Sequence, residues 1–193
     1  DLIGFYNDYS NLTDICTFSS GCLGQNLDRQ FDAGTARVFG LEASFDHELR
    51  IDRELYLPLS LAYTFSRGEF LSFFDSPDPQ FGQVSAGDPI PYLPEHQGSA
   101  TAGLGGKRWE ATATGTFVGS MHEQAGAGGP LAGKKTDAQL TLDLAAHLQL
   151  TSWLDLYGVA KNVLNQQHLA SRRPFGARPG APRWIQAGAR ASF

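Results

Sequence analysis

Apolar and polar residues alternate along most of the chain, and this period of two predicts extended strands. The clearest segment is QLTLDLAAHLQL at 139–150, where even-numbered positions carry leucine or alanine and odd-numbered positions are mostly polar. The segment LYLPLSLAYTF at 55–65 alternates in the same way, with leucine, tyrosine and phenylalanine on one face. Apolar residues at helical spacing are hard to find, so the sequence predicts an all-β fold.

Six further segments alternate less cleanly and bring the number of predicted strands to eight. The predicted strands cover residues 1–13, 35–47, 55–65, 96–105, 108–121, 139–150, 153–163 and 183–193. Their connections are short near 47–53, 105–108 and 150–153, and long and rich in Gly, Pro and Asp at 14–34, 70–95, 122–135 and 164–182. In an antiparallel up-and-down sheet every second connection lies at the same end of the strands. The sequence therefore predicts short turns at one end of the sheet and long loops at the other.

Short turns at one end and long loops at the other are typical of transmembrane β-barrels of bacterial outer membranes. Aromatic residues near predicted strand ends fit the girdles that such barrels carry at the membrane interfaces. These residues are Phe70, Trp109, Trp153, Trp184 and Phe193. Alternation alone does not separate such a barrel from a soluble β-sandwich, which would bury its leucine faces.

The polar faces of the predicted strands carry small side chains. Examples are Ser60, Thr64, Ser99, Gly103, Thr112, Thr114 and Thr116. A closed barrel of eight strands needs larger side chains to fill its interior, so these residues predict a wide lumen that holds water or a separate plug.

Composition excludes several classes of protein. With 193 residues, 41% hydrophobic and 18% charged, the chain is neither disordered nor collagen-like. A net charge of −5 with 15 scattered basic residues argues against nucleic-acid binding. No apolar run approaches the roughly 18 to 20 residues of a membrane helix, whereas a mean hydropathy of −0.25 is compatible with membrane strands. The chain begins at Asp1 inside a strand-like stretch, so we expect a fragment or a processed part of a longer protein.

Cys16 and Cys22 lie in a Ser/Gly/Asn-rich loop with five residues between them. This spacing permits a disulfide and suits an oxidising compartment, with free thiols as the alternative. A metal site is a weaker interpretation, because no histidine lies nearby. His96 is expected to fix a loop corner by hydrogen bonds. The chain lacks HxH, HExxH, GxSxG, P-loop and GxGxxG patterns, so the sequence predicts neither a metal centre nor an enzyme.

Several stretches, taken in order along the chain, are similar to one family of membrane receptors. They are FYNDYSNL followed by the two-cysteine loop, ARVFGLEASF, GDPIPYLPEHQ, NVLN and ASRRPFGARPGAPR. The chain thereby resembles TonB-dependent receptors and, within them, the ferric citrate (iron dicitrate) receptor group. The resemblance implies that residues 1–193 are the last eight strands of a 22-stranded barrel, without its plug and N-terminal strands.

The resemblance also implies a location and partners. The protein is expected in the bacterial outer membrane, in contact with lipid and lipopolysaccharide, and it takes up a ferric chelate without a cofactor. The TonB complex would drive uptake through the missing plug. The terminal Phe193 is similar to the signal that the barrel-assembly machinery reads in outer-membrane proteins.

Four arginines on the final long loop are the candidate ligand-binding residues: Arg172, Arg173, Arg178 and Arg183. Ferric citrate is anionic, and arginine recognises carboxylates bidentately. The alternatives are a solvated surface loop or a contact with lipopolysaccharide phosphate. Two other functions stay open, namely a self-contained eight-stranded outer-membrane barrel serving as adhesin or anchor, and a soluble β-sandwich binding module.

Overall fold

The computed structural model describes residues 1–173 and 176–192. Within these residues the backbone is almost entirely strand and loop. The strands are β1 Leu2–Ile15, β2 Gln30–Arg50, β3 Tyr56–Phe70, β4 Phe74–Asp75, β5 Gln83–Val84, β6 His96–Gly106, β7 Trp109–Val118, β8 Gln139–Gln149, β9 Leu154–Lys161, β10 Leu169–Ser171, β11 Arg178–Pro179 and β12 Trp184–Ala191. Two 3₁₀ turns cover Phe18–Ser20 and Gly24–Asn26.

Eight long strands form one antiparallel sheet in the order β1-β2-β3-β6-β7-β8-β9-β12. Chain order and sheet order agree once the short loop ladders β4–β5 and β10–β11 are set aside, so the sheet is an up-and-down meander. The predicted all-β antiparallel fold is therefore confirmed. In the described part of the chain, β1 and β12 are the two edges and do not pair with each other. None of the described helical turns is long and apolar enough to cross a membrane.

The connections alternate in length as predicted. Residues 51–55, 107–108 and 150–153 form the short turns at one end of the sheet. At the other end lie four long loops, which we name L1 (16–29), L2 (71–95), L3 (119–138) and L4 (162–183). β2 and β3 are longer than predicted, and together with β1 they extend past the end of β6 on the side of the long loops.

Strand register divides the sheet into one apolar and one polar face. Residues opposite one another share a face, and Leu61 lies opposite Phe45 and Ala100, as Leu144 lies opposite Ala113 and Ala160. The side chains of Phe45 (55%), Leu61 (50%) and Ile185 (75%) are exposed. The leucine face is thus not packed against a second sheet in the described structure, which argues against the soluble sandwich.

The opposite face is lined by hydrogen-bonding groups. Thr101 Oγ1 and Thr114 Oγ1 lie 2.9 Å apart, and the Tyr56 hydroxyl donates to Glu110 Oε2 at 2.8 Å. Lys161 Nζ donates to Asp143 Oδ2 at 2.8 Å. This is the polar face that the small predicted residues Ser60, Thr64, Ser99, Gly103, Thr112 and Thr116 share.

The predicted aromatic girdle is only partly correct. Trp109 lies at the turn end of β7 on the apolar face, as an interfacial residue should. Phe70 is buried among the long loops, and Trp184 alternates with Ile185 and so lies on the polar face. The assignments of Phe70 and Trp184 to the girdle were wrong, because a position near a strand end does not reveal whether the side chain faces lipid, the lumen or the packed loops. The last predicted member, Phe193, lies outside the described residues.

The hydrophobic core lies among the long loops rather than beneath the sheet. It consists of Phe31, Ala33, Ala36, Phe70, Phe74, Val84 and Ala125, with Leu12, Phe81 and Ile90 packed around it. The ring centroids of Phe70 and Phe74 are 5.2 Å apart, and those of Phe31 and Phe81 are 5.5 Å apart. These contacts give the loops a fixed arrangement, which positions the candidate site.

Candidate functional site at the external loops

A disulfide joins Cys16 to Cys22 in L1, with Cα atoms 5.7 Å apart. Between them Thr17 caps a 3₁₀ turn, because its hydroxyl accepts from Ser20 N at 3.2 Å and Ser20 Oγ accepts from Thr17 N at 3.1 Å. Gly21 ends the turn at φ 94°, a left-handed conformation that favours glycine. The ring holds the Ser20 carbonyl in place for L4.

Cys16, Cys22 and Asp78 lie close enough together to be considered as metal ligands. Both sulfurs are committed to the disulfide, whereas a metal binds the thiolate. With this disulfide formed, neither sulfur is available as a thiolate ligand.

L2 and L3 are joined through their backbones. Gln83 and Ala127 exchange hydrogen bonds of 3.1 and 3.0 Å, and Tyr92 N donates to His122 O at 2.9 Å. Ala125 N donates across the same junction to Gln80 O at 3.0 Å. The two loops therefore form a single unit above the strands β3, β6, β7 and β8.

Arg172 connects L4 to L3. Its guanidinium forms an ion pair with Glu123, and its backbone N donates to Glu123 Oε1 at 2.6 Å. Nη1 of Arg172 also donates to Lys135 O at 2.8 Å. Glu123 is fully buried, so the arginine supplies the charge that makes its burial tolerable.

Arg173 connects L4 to L1 and L2. Its Nη1 donates to Ser20 O at 2.5 Å and lies 3.7 Å from Asp78 Oδ1. Among the described residues, Nε and Nη2 of the same guanidinium have no hydrogen-bond partner. Burial lowers the pKa of Arg173, and nearby Tyr92, Asp78 and Glu123 oppose that shift. Arginine titrates so far above neutrality that this group remains a cation.

Arg178 and Arg183 lie on the exposed part of L4. Nη1 of Arg178 donates to Arg173 O at 3.5 Å, and Nη1 of Arg183 donates to Val163 O at 3.4 Å. The four candidate arginines thus share one loop but not one pocket, and two of them, Arg172 and Arg173, are paired with buried carboxylates. Their contact with a ligand stays a prediction.

A cavity of about 330 Å³ lies where L2 and L3 meet the ends of β3, β6 and β7. Its lining includes His96, His122, Glu95 and Lys135. His96 Nδ1 is 2.7 Å from the Tyr63 hydroxyl, which confirms that His96 fixes a corner by hydrogen bonding. Burial lowers the pKa of His122 and the Lys135 cation lowers it further, whereas Glu95 opposes the shift.

Sequence reasoning missed the acidic partners in this site. Asp78 and Glu123 lie in long loops without periodicity, and each meets its arginine across many residues of chain. A weak signal existed, since the prolines on both sides of Asp78 restrict the backbone there. The distance in sequence between Asp78 and Arg173 gave no indication that the two residues form an ion pair.

The fold and the loops together define a segment of an outer-membrane β-barrel, with lipid on the apolar face of the sheet and the lumen on its polar face. The family described as TonB dependent receptor-like, beta-barrel, matches residues 1–163. The chain belongs to this family, whose members are bacterial outer-membrane proteins, have no enzymatic activity and carry no cofactor.

Solved structures of receptors share the fold. The closed form of the ferric-catecholate import receptor Fiu from E. coli K12 is 18% identical, with a TM-score of 0.71, over 100% of this chain and 25% of that chain. The ferric yersiniabactin uptake receptor FyuA from Yersinia pestis is 16% identical, with a TM-score of 0.69, over 100% of this chain and 27% of that chain. The copper transporter OprC is 15% identical, with a TM-score of 0.68, over 100% of this chain and 28% of that chain.

The chain therefore spans about a quarter of the length of the receptors that it matches, and its sheet corresponds to a C-terminal portion of their barrels. No curated protein sequence matches it significantly.

Proposed function

We propose that the complete protein is an outer-membrane receptor for TonB-dependent uptake of a ferric chelate, with residues 1–193 as the C-terminal part of its barrel. One observation carries this proposal. A single antiparallel sheet exposes leucines on one face and threonines on the other, and its long loops are packed together at one end. A plug and the N-terminal strands would complete the barrel around the polar face.

The cargo that we propose is iron citrate or a related siderophore complex. The ordered stretches from FYNDYSNL to ASRRPFGARPGAPR support it by their resemblance to ferric citrate receptors. Fiu and FyuA are named for ferric chelates, whereas OprC is named for copper, so the shared fold accommodates more than one cargo.

We place Arg172, Arg173, Arg178 and Arg183 on the path of an anionic chelate. Arg178 and Arg183 are exposed, and their hydrogen bonds to carbonyl groups are long, at 3.5 and 3.4 Å. Their guanidinium groups therefore retain donors for carboxylates. Arg172 and Arg173 would reach the chelate only after exchanging their internal partners.

Binding of radiolabelled ferric citrate to cells that carry the complete receptor tests this proposal. The double variant Arg178→Gln/Arg183→Gln is expected to weaken binding by about tenfold or more, since a charged hydrogen bond contributes about 1.5–3 kcal/mol. Arg53→Gln, in the turn at the opposite end of the sheet, is the matched control. Unchanged affinity in the double variant would remove the arginines from the ligand site.

Two further measurements test the TonB dependence of uptake and the identity of the cargo separately. Uptake by the wild-type receptor should stop in cells that lack TonB, while binding persists. Ferric citrate should compete with its own labelled form far better than a ferric catecholate does. Efficient competition by the catecholate alone would reassign the cargo and leave the receptor function intact.

The remaining partners follow from the proposed architecture. TonB would act through the plug, lipid and lipopolysaccharide would surround the apolar face, and the barrel-assembly machinery would read β12 together with Phe193, which follows it in the sequence.

A further inference from the structure

The dipeptide Arg172–Arg173 contacts all three of the other long loops, beside a second L3–L4 contact in which Asp137 N donates to Leu169 O at 3.1 Å. Arg172 pairs with Glu123 in L3, and Arg173 reaches Ser20 in L1 and Asp78 in L2. The backbone supports the same junction, because Arg173 N donates to Ser171 Oγ at 3.0 Å and Ser171 Oγ lies 3.1 Å from the Tyr92 hydroxyl of L2. Two adjacent residues thus connect four loops that are far apart in the sequence.

The charges at this junction are balanced, and all except that of Arg172, whose side chain is 33% exposed, are largely removed from water. Two cations face two carboxylates, and the side-chain exposures are 0% for Glu123, 2% for Asp78 and 9% for Arg173. A buried charge is tolerated when it is paired, and removal of one partner leaves the other uncompensated. The junction therefore depends on both arginines and both acids being present together.

The parts that the arginines connect are internally stiff. Backbone hydrogen bonds join L2 to L3, and the Cys16–Cys22 disulfide closes the turn of L1. Opening between these units would leave their internal bonds intact. Opening would break the side-chain contacts of Arg172 and Arg173. Between L3 and L4 it would also break the hydrogen bond of 3.1 Å that Asp137 N donates to Leu169 O.

We propose that Arg172 and Arg173 form a latch that holds L1, L2, L3 and L4 together at one end of the sheet. The latch does not depend on the identity of the cargo. The hydrogen bonding of the latch is incomplete, since Nε and Nη2 of Arg173 have no partner among the described residues. A buried donor without a partner costs free energy, so the contacts of Arg173 stabilise the closed arrangement less than a fully paired guanidinium would.

The disulfide provides a chemical reporter of latch opening in the complete receptor. The side chains of Cys16 and Cys22 are buried against the junction, so a soluble reductant reaches them when L1 separates from L2 and L4. Reduction by dithiothreitol is followed in time by alkylation and mass spectrometry of the peptides that contain the two cysteines. Arg173→Gln and Arg172→Gln are each expected to accelerate reduction by about tenfold or more.

Arg29→Gln is the matched control, because Arg29 is exposed in L1 beside the disulfide and its loss removes the same charge. It should leave the reduction rate unchanged. Arg173→Lys keeps the charge but loses the planar fork, and it should give an intermediate rate. The heat-induced shift of the receptor band on a gel shows that each variant has folded, and the experiment needs no cargo, so it stands apart from the test of function.

A distance measurement completes the test. Spin labels at the exposed positions Gln25 in L1 and Ala181 in L4 should give one narrow distance distribution in the wild type and a broader, longer one in Arg173→Gln. Unchanged reduction rates in both arginine variants, together with an unchanged distance, would overturn the latch. So would a wild-type receptor whose disulfide is reduced as fast as in the denatured protein.

Discussion

At the scale of single residues, the strand glycines differ in how much room surrounds them. A Cβ atom added at Gly103 in β6 would lie 2.6 Å from the backbone oxygen of Ala111, which cannot move aside without disturbing β7. A Cβ atom added at Gly115 in β7 would meet no described heavy atom within 4 Å. Identical substitutions at these two positions therefore separate crowding from the general effect of replacing glycine.

We expect Gly103→Ala to lower the free energy of unfolding by about 1–3 kcal/mol through overpacking. Gly115→Ala should change it by less than about 0.5 kcal/mol, as substitutions in open space do. Urea titration of the complete receptor folded into lipid vesicles measures both values. Equal effects at the two sites would mean that the strands are not as close at Gly103 as the structure indicates.

His122 makes the loops sensitive to acid. Burial and Lys135 lower its pKa, so the unfolded chain binds a proton at a higher pH than the folded one. The contribution of neutral His122 is complete above its ordinary pKa of about 6.5 and is lost as the pH falls below it. Hydrogen exchange at the Tyr92 amide, which donates to His122 O, should accelerate at about pH 5.5 relative to pH 7.5 after correction for intrinsic rates.

His122→Gln should remove most of this acid-induced acceleration, whereas the Asn26→Gln variant in L1 should retain it. An acceleration of equal size in His122→Gln would assign the acid response to another group.

Residue pairs show where prediction from the sequence ends. The position of His96 at a loop corner and the disulfide spacing were visible because each depends on local sequence. The contact of Arg173 with Ser20 joins residues 153 positions apart, and Asp78 lies in a loop without any repeat. Such contacts depend on how the sheet brings its loops together, which alternation does not encode.

At the scale of secondary-structure elements, β8 offers the sharpest test of which face meets lipid. Leu144 and Ala145 are neighbours at the middle of the strand and project to opposite faces. Leu144→Lys should destabilise the folded receptor in vesicles by about 2–4 kcal/mol, the effect of a lysine at the bilayer midplane. Ala145→Lys, which projects into the lumen, should have a much smaller effect in the same urea titration.

If Ala145→Lys proved the more destabilising of the two, the assignment of the leucine face to lipid would be reversed. The same comparison in detergent without a bilayer should reduce the difference, because a micelle adapts to a charged side chain.

The strands were largely predictable and their ends were not. Alternation located all eight long strands, since one apolar and one polar environment impose a period of two on each. β2 begins at Gln30, five residues before its predicted start, because residues 30–34 pair with β1 among the loops where both faces are crowded. There the side chains of Phe31 and Ala33 are buried, and no lipid or lumen enforces alternation.

At the scale of the whole molecule, the open sheet distinguishes a receptor segment from a small complete barrel. β1 and β12 each have one unpaired side in the described structure, and unpaired backbone groups are not tolerated in hydrocarbon. The isolated 193-residue chain is therefore expected to aggregate or to remain unfolded in detergent. The complete receptor should give a monomeric band that shifts on heating.

A heat-shifted monomeric band from the isolated chain would instead support a closed eight-stranded barrel serving as adhesin or anchor. Circular dichroism on the same sample would then show whether strands form without the rest of the protein.

The backbone ladder between L2 and L3 has a consequence for how receptors of this kind can be recombined. Transplanting L3 alone into another barrel would leave the amide of Ala125 and the amide and carbonyl of Ala127 without their hydrogen-bond partners in L2. The unit that can be exchanged between receptors is then the pair of neighbouring hairpins β3–L2–β6 and β7–L3–β8, not one loop. Chimaeras that exchange cargo preference should succeed when these hairpins are moved together and fail when they are split.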